Sequence, residues 1–182
     1  MSAASADSPE PTEAPPLPEG SLAVFDVDGV VADVRHRLHH LEGPWKDWDG
    51  FFEEARLDPV LAPGAELVRR LGTEHDIVWL TGRPEWLRRV TQRWMAAAGL
   101  PHDVLFMRPP HDFRPARFYK LDMLRLIERR HRVGIGAFID DDPEVVDAVA
   151  AAGFPATLAE WVPRGGKAGR ALREAQEKLG RT

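Results

Sequence analysis

The sequence predicts an α/β fold: a parallel sheet of about five strands with helices on both faces, a three-layer α/β/α sandwich. Three observations carry this. Short apolar runs, of which Leu22-Ala-Val-Phe25 is the first, alternate with longer stretches whose apolar residues recur at helical spacing. Strands that alternate with helices imply parallel pairing through right-handed crossovers. Polar residues follow the strands, namely Asp26 and Asp28, then Thr81 and Gly82, then Asp140 and Asp141. Ligands of such sheets gather at the carboxyl ends of the strands.

The chain has 182 residues, 43% of them hydrophobic, enough for one domain core with tails. A net charge of -5 excludes a generally basic nucleic-acid coat, so a polyanionic partner has to meet a local patch. There are no cysteines, which removes disulfides, thiolate zinc sites and cysteine nucleophiles. Any metal must use oxygen or imidazole ligands. No stretch approaches the roughly 18 to 20 apolar residues of a membrane span, and no basic region followed by an apolar one opens the chain. The expectation is a cytoplasmic protein with no membrane partner.

Residues 1–20 hold five prolines and four acidic residues but no Lys or Arg, a composition expected to stay disordered. The first strand leads into a helix expected over Ala32 to Leu41. An irregular stretch, Gly43 to Phe52, follows, and 33–62 reads as a flap or minimal cap inserted in a domain spanning 21–162. Its aromatics Trp45, Trp48, Phe51 and Phe52 either line a substrate entrance or form a satellite apolar cluster under a long loop.

Pro63 suits a helix start and Gly72 its end. Asp76 to Thr81 is the second strand, and Thr81-Gly-Arg-Pro84 leads into a helix with Leu87, Val90, Trp94 and Ala98 on one face. A third strand, Asp103 to Met107, precedes a basic, proline-stiffened loop. That loop delivers Lys120 to a helix expected to bury Phe118, Leu121, Leu124 and Ile127. Val133 to Ile139 is the fourth strand, and Pro143 starts the helix after Asp140-Asp-Asp142. Phe154 to Leu158 is the fifth strand, and 163–182 forms a basic amphipathic helix.

With a period of two, Asp26 and Asp28 leave the first strand on the same side. Two carboxylates so close need a cation between them or a shared proton. Clustered carboxylates without cysteine suit a hard cation such as Mg²⁺, while a hydroxyl, backbone N–H groups and one ammonium suit a phosphate. Metal, phosphate and a nucleophilic carboxylate together suggest phosphoryl transfer. His36, His39 and His40 lie at helical spacing and could bind a metal, but no nearby carboxylate–histidine pattern completes a site in the sequence, so a solvated or loop-packing role is expected. Gly165-Gly-Lys167 is not a phosphate loop, because Trp161 stands where its first glycine is required.

Four ordered motifs, Asp26-Val-Asp-Gly-Val30, Thr81, Lys120 and Asp140-Asp141, resemble those of the haloacid dehalogenase (HAD) superfamily. The resemblance implies a Rossmann-like sheet of strand order 5-4-1-2-3 with a small or absent cap. It also implies Asp26 as the nucleophile that becomes an aspartyl-phosphate, and Asp28 as the acid and base. Mg²⁺ would be held by Asp26, the main-chain carbonyl of Asp28 and Asp140, with Asp141 as an alternative ligand. Thr81 and the Gly82 N–H would bind phosphate oxygens, and Lys120 would neutralise charge. Asp28 at the second position points to phosphatases, and Val30 stands where Thr is commoner.

A closer resemblance is to the phosphatase domain of polynucleotide kinase-phosphatases, carried by the spacing of Arg108, Asp112, Arg114 and Lys120 and by the Thr-Gly-Arg-Pro turn. It implies a phosphorylated nucleic-acid end as substrate, in particular a 3′-phosphate; the sequence departs from those bifunctional proteins in showing no kinase half. Arg83, Arg114 and Arg117 are the candidates for holding the phosphodiester or nucleotide. Two alternatives stay open: a phosphatase for nucleoside monophosphates or other small molecules, and a non-catalytic interaction module.

Overall fold

The computed structural model describes residues 21–42 and 44–162. The acidic tail 1–20 and the amphipathic helix 163–182 expected from the sequence lie outside the described residues. Five parallel strands form one sheet: β1 Leu22–Phe25, β2 Asp76–Pro84, β3 Leu105–Arg108, β4 Ile135–Asp140 and β5 Ala156–Leu158. Their order is β3-β2-β1-β4-β5, the expected order read from the other edge.

Alternation along the strands sorts the core into two halves. Ala23, Phe25 and Val27 pack on one face with Ala65 and Val68 of α2 (Ala62–Leu71) and Trp94 and Met95 of α3 (Arg88–Ala97). Leu22 and Val24 pack on the other with Leu124 and Ile127 of α4 (Ala116–His131) and Val145 and Val149 of α5 (Pro143–Ala151). A central strand buried on both faces is apolar throughout, which is why β1 reads as an unbroken hydrophobic run. The chain winds one way to β3 and the other way from β3 to β5, so the order reverses between β1 and β4. A switch point of this kind leaves a crevice at the strands' carboxyl ends.

The flap leaves and returns at one place. Ala32 bridges Val60, and Asp33 N–H donates to the Pro59 carbonyl at 2.8 Å. Within the flap, a 3-10 helix spans Val34–Leu41, capped by the Asp33 carboxylate on the Arg35 N–H at 3.0 Å. The stretch expected to be irregular contains helix α1 (Trp48–Glu53), capped by Asp47 on the Gly50 N–H at 2.9 Å, and then a 3-10 turn over Glu54–Leu57. The local cap and the need to bury Phe51 and Phe52 together order it. Both readings of the flap aromatics find a place. Phe51 is core, Trp48 and Phe52 face a cleft, and Trp45 is 90% exposed and belongs to neither.

The buried face of α4 differs from the one expected. Ala116, Tyr119, Lys120, Leu124 and Ile127 point inward while Phe118 is exposed. The helix turns so that Lys120 enters the carboxylate cluster and Tyr119 lies under the Arg108 guanidinium, 4.4 Å from its ring centroid.

Candidate active site

The register of β1 against β4 builds the centre of the site. Phe25 pairs with Ile139, and the Asp26 N–H donates to the Ile139 carbonyl at 2.9 Å, so Asp26 and Asp140 leave adjacent strands side by side. Lys120 comes from α4 below and donates to Asp26 Oδ2 at 2.8 Å and Asp140 Oδ2 at 2.6 Å. Asp141 joins them, and one carboxylate oxygen each from Asp26, Asp140 and Asp141 lie within 4.8 Å of one another. Asp142 turns away to cap α5 on the Glu144 N–H at 2.9 Å.

Among the described residues the charge in this cluster is unbalanced. Three carboxylates face one ammonium, and Asp26 Oδ1 is buried without a hydrogen-bond partner among the described residues. Burial pushes Asp140 up to about 7 against the pull of Lys120, and burial with the charges of Asp140 and Asp26 raises Asp141 well above the usual carboxylate range. Burial lowers the Lys120 ammonium, but Asp140 and Asp26 outweigh it and keep the proton on. A divalent cation supplies the missing charge and a partner for the orphaned oxygen, so the residues present fit Mg²⁺. Gly29, at φ 74°, lets the backbone pass beneath this cluster; a Cβ there would collide with the Asp141 carboxylate.

Asp28 has a different set of partners. β1 stops at Phe25, and Val27 to Ala32 folds into a tight turn with the Val31 and Ala32 N–H groups on the Val27 carbonyl. The two carboxylates therefore meet different cations. Asp28 Oδ1 accepts from Arg37 at 2.8 Å and from Arg83 at 3.0 and 2.5 Å, while Oδ2 makes no hydrogen bond among the described residues. Burial would raise this carboxyl, but the two guanidiniums outweigh it and hold Asp28 below its usual value. Behind them, Asp58 accepts from Arg37 at 2.8 and 3.0 Å and from Arg83 at 2.5 Å. Two arginines and two aspartates thus neutralise one another in a fully packed site.

This geometry revises the reading of Arg83. It is fully buried, and its guanidinium is bonded to Asp28 and Asp58. Thr81 is buried at the end of β2, its Oγ accepting from the Arg83 N–H at 3.2 Å. Gly82 lines a cleft together with Trp48, Phe52, Trp86, Phe113 and Arg108. Arg108 Nη1 donates to the Arg114 carbonyl at 2.9 Å, yet its Nε and Nη2 are buried without partners among the described residues.

The family model of the polynucleotide kinase PNKP phosphatase domain matches residues 21–157. The chain belongs to this family. It is a phosphatase domain of the HAD superfamily, and solved structures agree on the fold. The PNKP-family domain is similar to a chain of the Pnkp1/Rnl/Hen1 RNA repair complex, with 22% identity and TM-score 0.62, over 77% of this chain and 42% of that one. It is also similar to the class C acid phosphatase of Bacillus anthracis, with 15% identity and TM-score 0.56 over 74% and 60% of the chains. A third likeness is to the haloacid dehalogenase-like hydrolase SP0104 of Streptococcus pneumoniae, with 12% identity and TM-score 0.55 over 87% and 92%. This chain spans less than half the length of the Pnkp1 complex chains it matches. No curated protein matches it. No helix among the described residues is long and apolar enough to cross a membrane.

In the PNKP-family domain the other two arginines singled out by sequence are at the surface. Arg114 forks onto Asp112 and reaches Asp122 at 2.6 Å, and Arg117 pairs with Glu144 at 2.9 Å. Sequence reasoning missed Arg37, Asp58, Trp86 and Phe113. Arg37 and Asp58 carry no motif, and their pairing joins residues 21 apart through a fold that spacing does not reveal. Phe113 within the basic loop, and Trp86 just after the Thr-Gly-Arg-Pro turn, were usable signals.

Proposed function

We propose that this domain is a Mg²⁺-dependent phosphomonoesterase acting on nucleic-acid ends, in particular 3′-phosphates, through an aspartyl-phosphate on Asp26. The observation that carries the substrate reading is the cleft opening at Gly82. Its rings can stack a base, and the unpartnered donors of Arg108 suit a phosphate. Membership of the PNKP phosphatase family supports it, as does the likeness to a chain of an RNA repair complex.

Asp26, Asp140 and Asp141 would hold the ion with the Asp28 carbonyl, and the ion would withdraw charge from the phosphoryl oxygens. Lys120 clamps Asp26 Oδ2 and fixes the carboxylate's orientation. A carboxylate oxygen of Asp26 attacks phosphorus as the bond to the leaving oxygen breaks, and that oxygen takes a proton that Asp28, ionised at rest beside its two guanidiniums, relays from solvent. Water then attacks the phosphorus of the acyl phosphate, gives its proton to Asp28 and releases inorganic phosphate and free Asp26. Asp28 Oδ2 is the oxygen for this traffic, because Oδ1 is occupied by Arg37 and Arg83. Thr81 and the Gly82 N–H hold the phosphoryl oxygens.

The same slot can take a single nucleotide, so nucleoside monophosphates are the second reading. Phosphate release from 3′-phosphorylated oligonucleotides, 5′-phosphorylated oligonucleotides, mononucleotides and an aryl phosphate separates the two. Preference for the 3′-phosphorylated oligonucleotide is expected. Equal or faster turnover of mononucleotides would replace the substrate reading, and no Mg²⁺-dependent turnover of any of them would favour an interaction module.

A further inference from the structure

We propose that His39, His40 and Glu54 form a second metal site, on the flap, of the kind that takes Zn²⁺ or a similar divalent transition ion. One ring nitrogen from each histidine and one Glu54 carboxylate oxygen lie within 4.8 Å of one another. Glu54 supplies the carboxylate that no local sequence pattern offers the histidines. It arrives from beyond α1, at the start of the turn Glu54–Leu57.

The hydrogen bonds assign the ring nitrogens. His39 Nδ1 lies 2.9 Å from the His36 carbonyl, and His40 Nδ1 lies 3.0 Å from Asp47 Oδ2. A carbonyl and a carboxylate can only accept, so Nδ1 carries the proton in both rings. In the neutral rings Nε2 keeps its lone pair. A carbonyl or carboxylate on the far nitrogen is also what orients metal-ligating imidazoles.

His40 Nε2 is buried without a hydrogen-bond partner among the described residues, although Glu54 Oε1 is 3.4 Å away. A protonated Nε2 would be expected to hydrogen-bond that carboxylate; a bare lone pair beside it needs a cation. The 3.4 Å between His40 Nε2 and Glu54 Oε1 fits one. Tetrahedral Zn²⁺ with bonds of roughly 2.0–2.1 Å separates its ligand atoms by about 1.6 times that length, or about 3.3 Å. Two imidazoles and one carboxylate suit zinc better than Mg²⁺, which prefers oxygen ligands.

The site joins the two halves of the flap. The histidines share the 3-10 helix with Arg37, which bonds Asp28, and Glu54 follows the helix that carries Trp48 and Phe52 to the cleft. An ion there braces the flap and takes no part in the chemistry.

The test is titration of the full chain, without an affinity tag, with Co²⁺ as a visible stand-in for Zn²⁺, in excess Mg²⁺ to fill the carboxylate cluster. One equivalent bound with the absorption of a four-coordinate, nitrogen-ligated ion is expected. It should weaken at least tenfold in both His40→Gln and Glu54→Gln and persist in Asp26→Asn. No such absorption in the wild-type chain overturns the proposal, whatever the variants do. Binding that survives both flap substitutions, or is lost in Asp26→Asn alone, overturns it too. His39→Gln, at an exposed position, provides a third variant whose fold can be checked by circular dichroism in EDTA.

Discussion

Arg37 on the flap donates a 2.8 Å hydrogen bond to Asp28 at the end of the first strand. The flap is thereby tied to the carboxylate proposed to move protons, through the same guanidinium that binds Asp58 and lies 4.1 Å from the Phe51 ring centroid. Removing one member of this buried set leaves charge without compensation. Asp58→Asn is expected to destabilise the domain by on the order of 3–5 kcal/mol. Urea unfolding checks it, as a lower midpoint with an unchanged slope.

Asp26→Asn removes the proposed nucleophile and one of three crowded carboxylates. Phosphate release should fall to background while the protein stays folded. In EDTA its thermal midpoint should equal or exceed that of the wild type, because a repulsive charge is gone. Single-turnover assays and a thermal melt check the two halves.

Mg²⁺ should stabilise the wild-type domain, by about 2.7 kcal/mol at a hundredfold excess over the dissociation constant. Asp141→Asn should lose most of that stabilisation, which a melt with and without Mg²⁺ measures.

Trp86→Ala and Phe113→Ala remove two walls of the cleft. Stacking worth about 1–3 kcal/mol per base implies a KM for a 3′-phosphorylated oligonucleotide raised roughly 5- to 150-fold. Turnover of a small non-aromatic phosphate should be unchanged. Steady-state kinetics on both substrates checks this.

Asp112 is held below its usual value chiefly by its hydrogen bond from the Arg114 side chain. A depressed carboxyl contributes stability that is present above its unfolded pKa and is lost as pH falls through its folded pKa. Asp112→Asn should therefore lower stability at pH 7 by less than about 1 kcal/mol, given the exposure of Arg114, and the difference should vanish in acid. Melts at pH 7 and below pH 3 test it.

The strand ends were readable because each joins a strong local signal to a polar terminus: an apolar run, then Asp26 and Asp28, Thr81 or Asp140. The flap was not. Asp47 and Gly50 make a cap whose value depends on Phe51 and Phe52 having a core to enter, and the buried face of α4 follows from where Lys120 must reach. Arg83 was a candidate for the substrate phosphate because a guanidinium fork suits phosphate geometry; two buried carboxylates take that fork inward.

By itself the sequence determined the alternation of strand and helix and the residues at the strand ends, since hydrophobic periodicity and chain direction are local properties. It thereby determined that Asp26, Thr81 and Asp140 lie towards the carboxyl ends of their strands. Only the tertiary structure decided which cation each carboxylate meets, Lys120 for Asp26 and Arg37 with Arg83 for Asp28. The same holds for the cleft and for the meeting of Glu54 with two histidines. Those pairings depend on side chains brought together across the fold, where burial strengthens charge interactions that sequence spacing does not record.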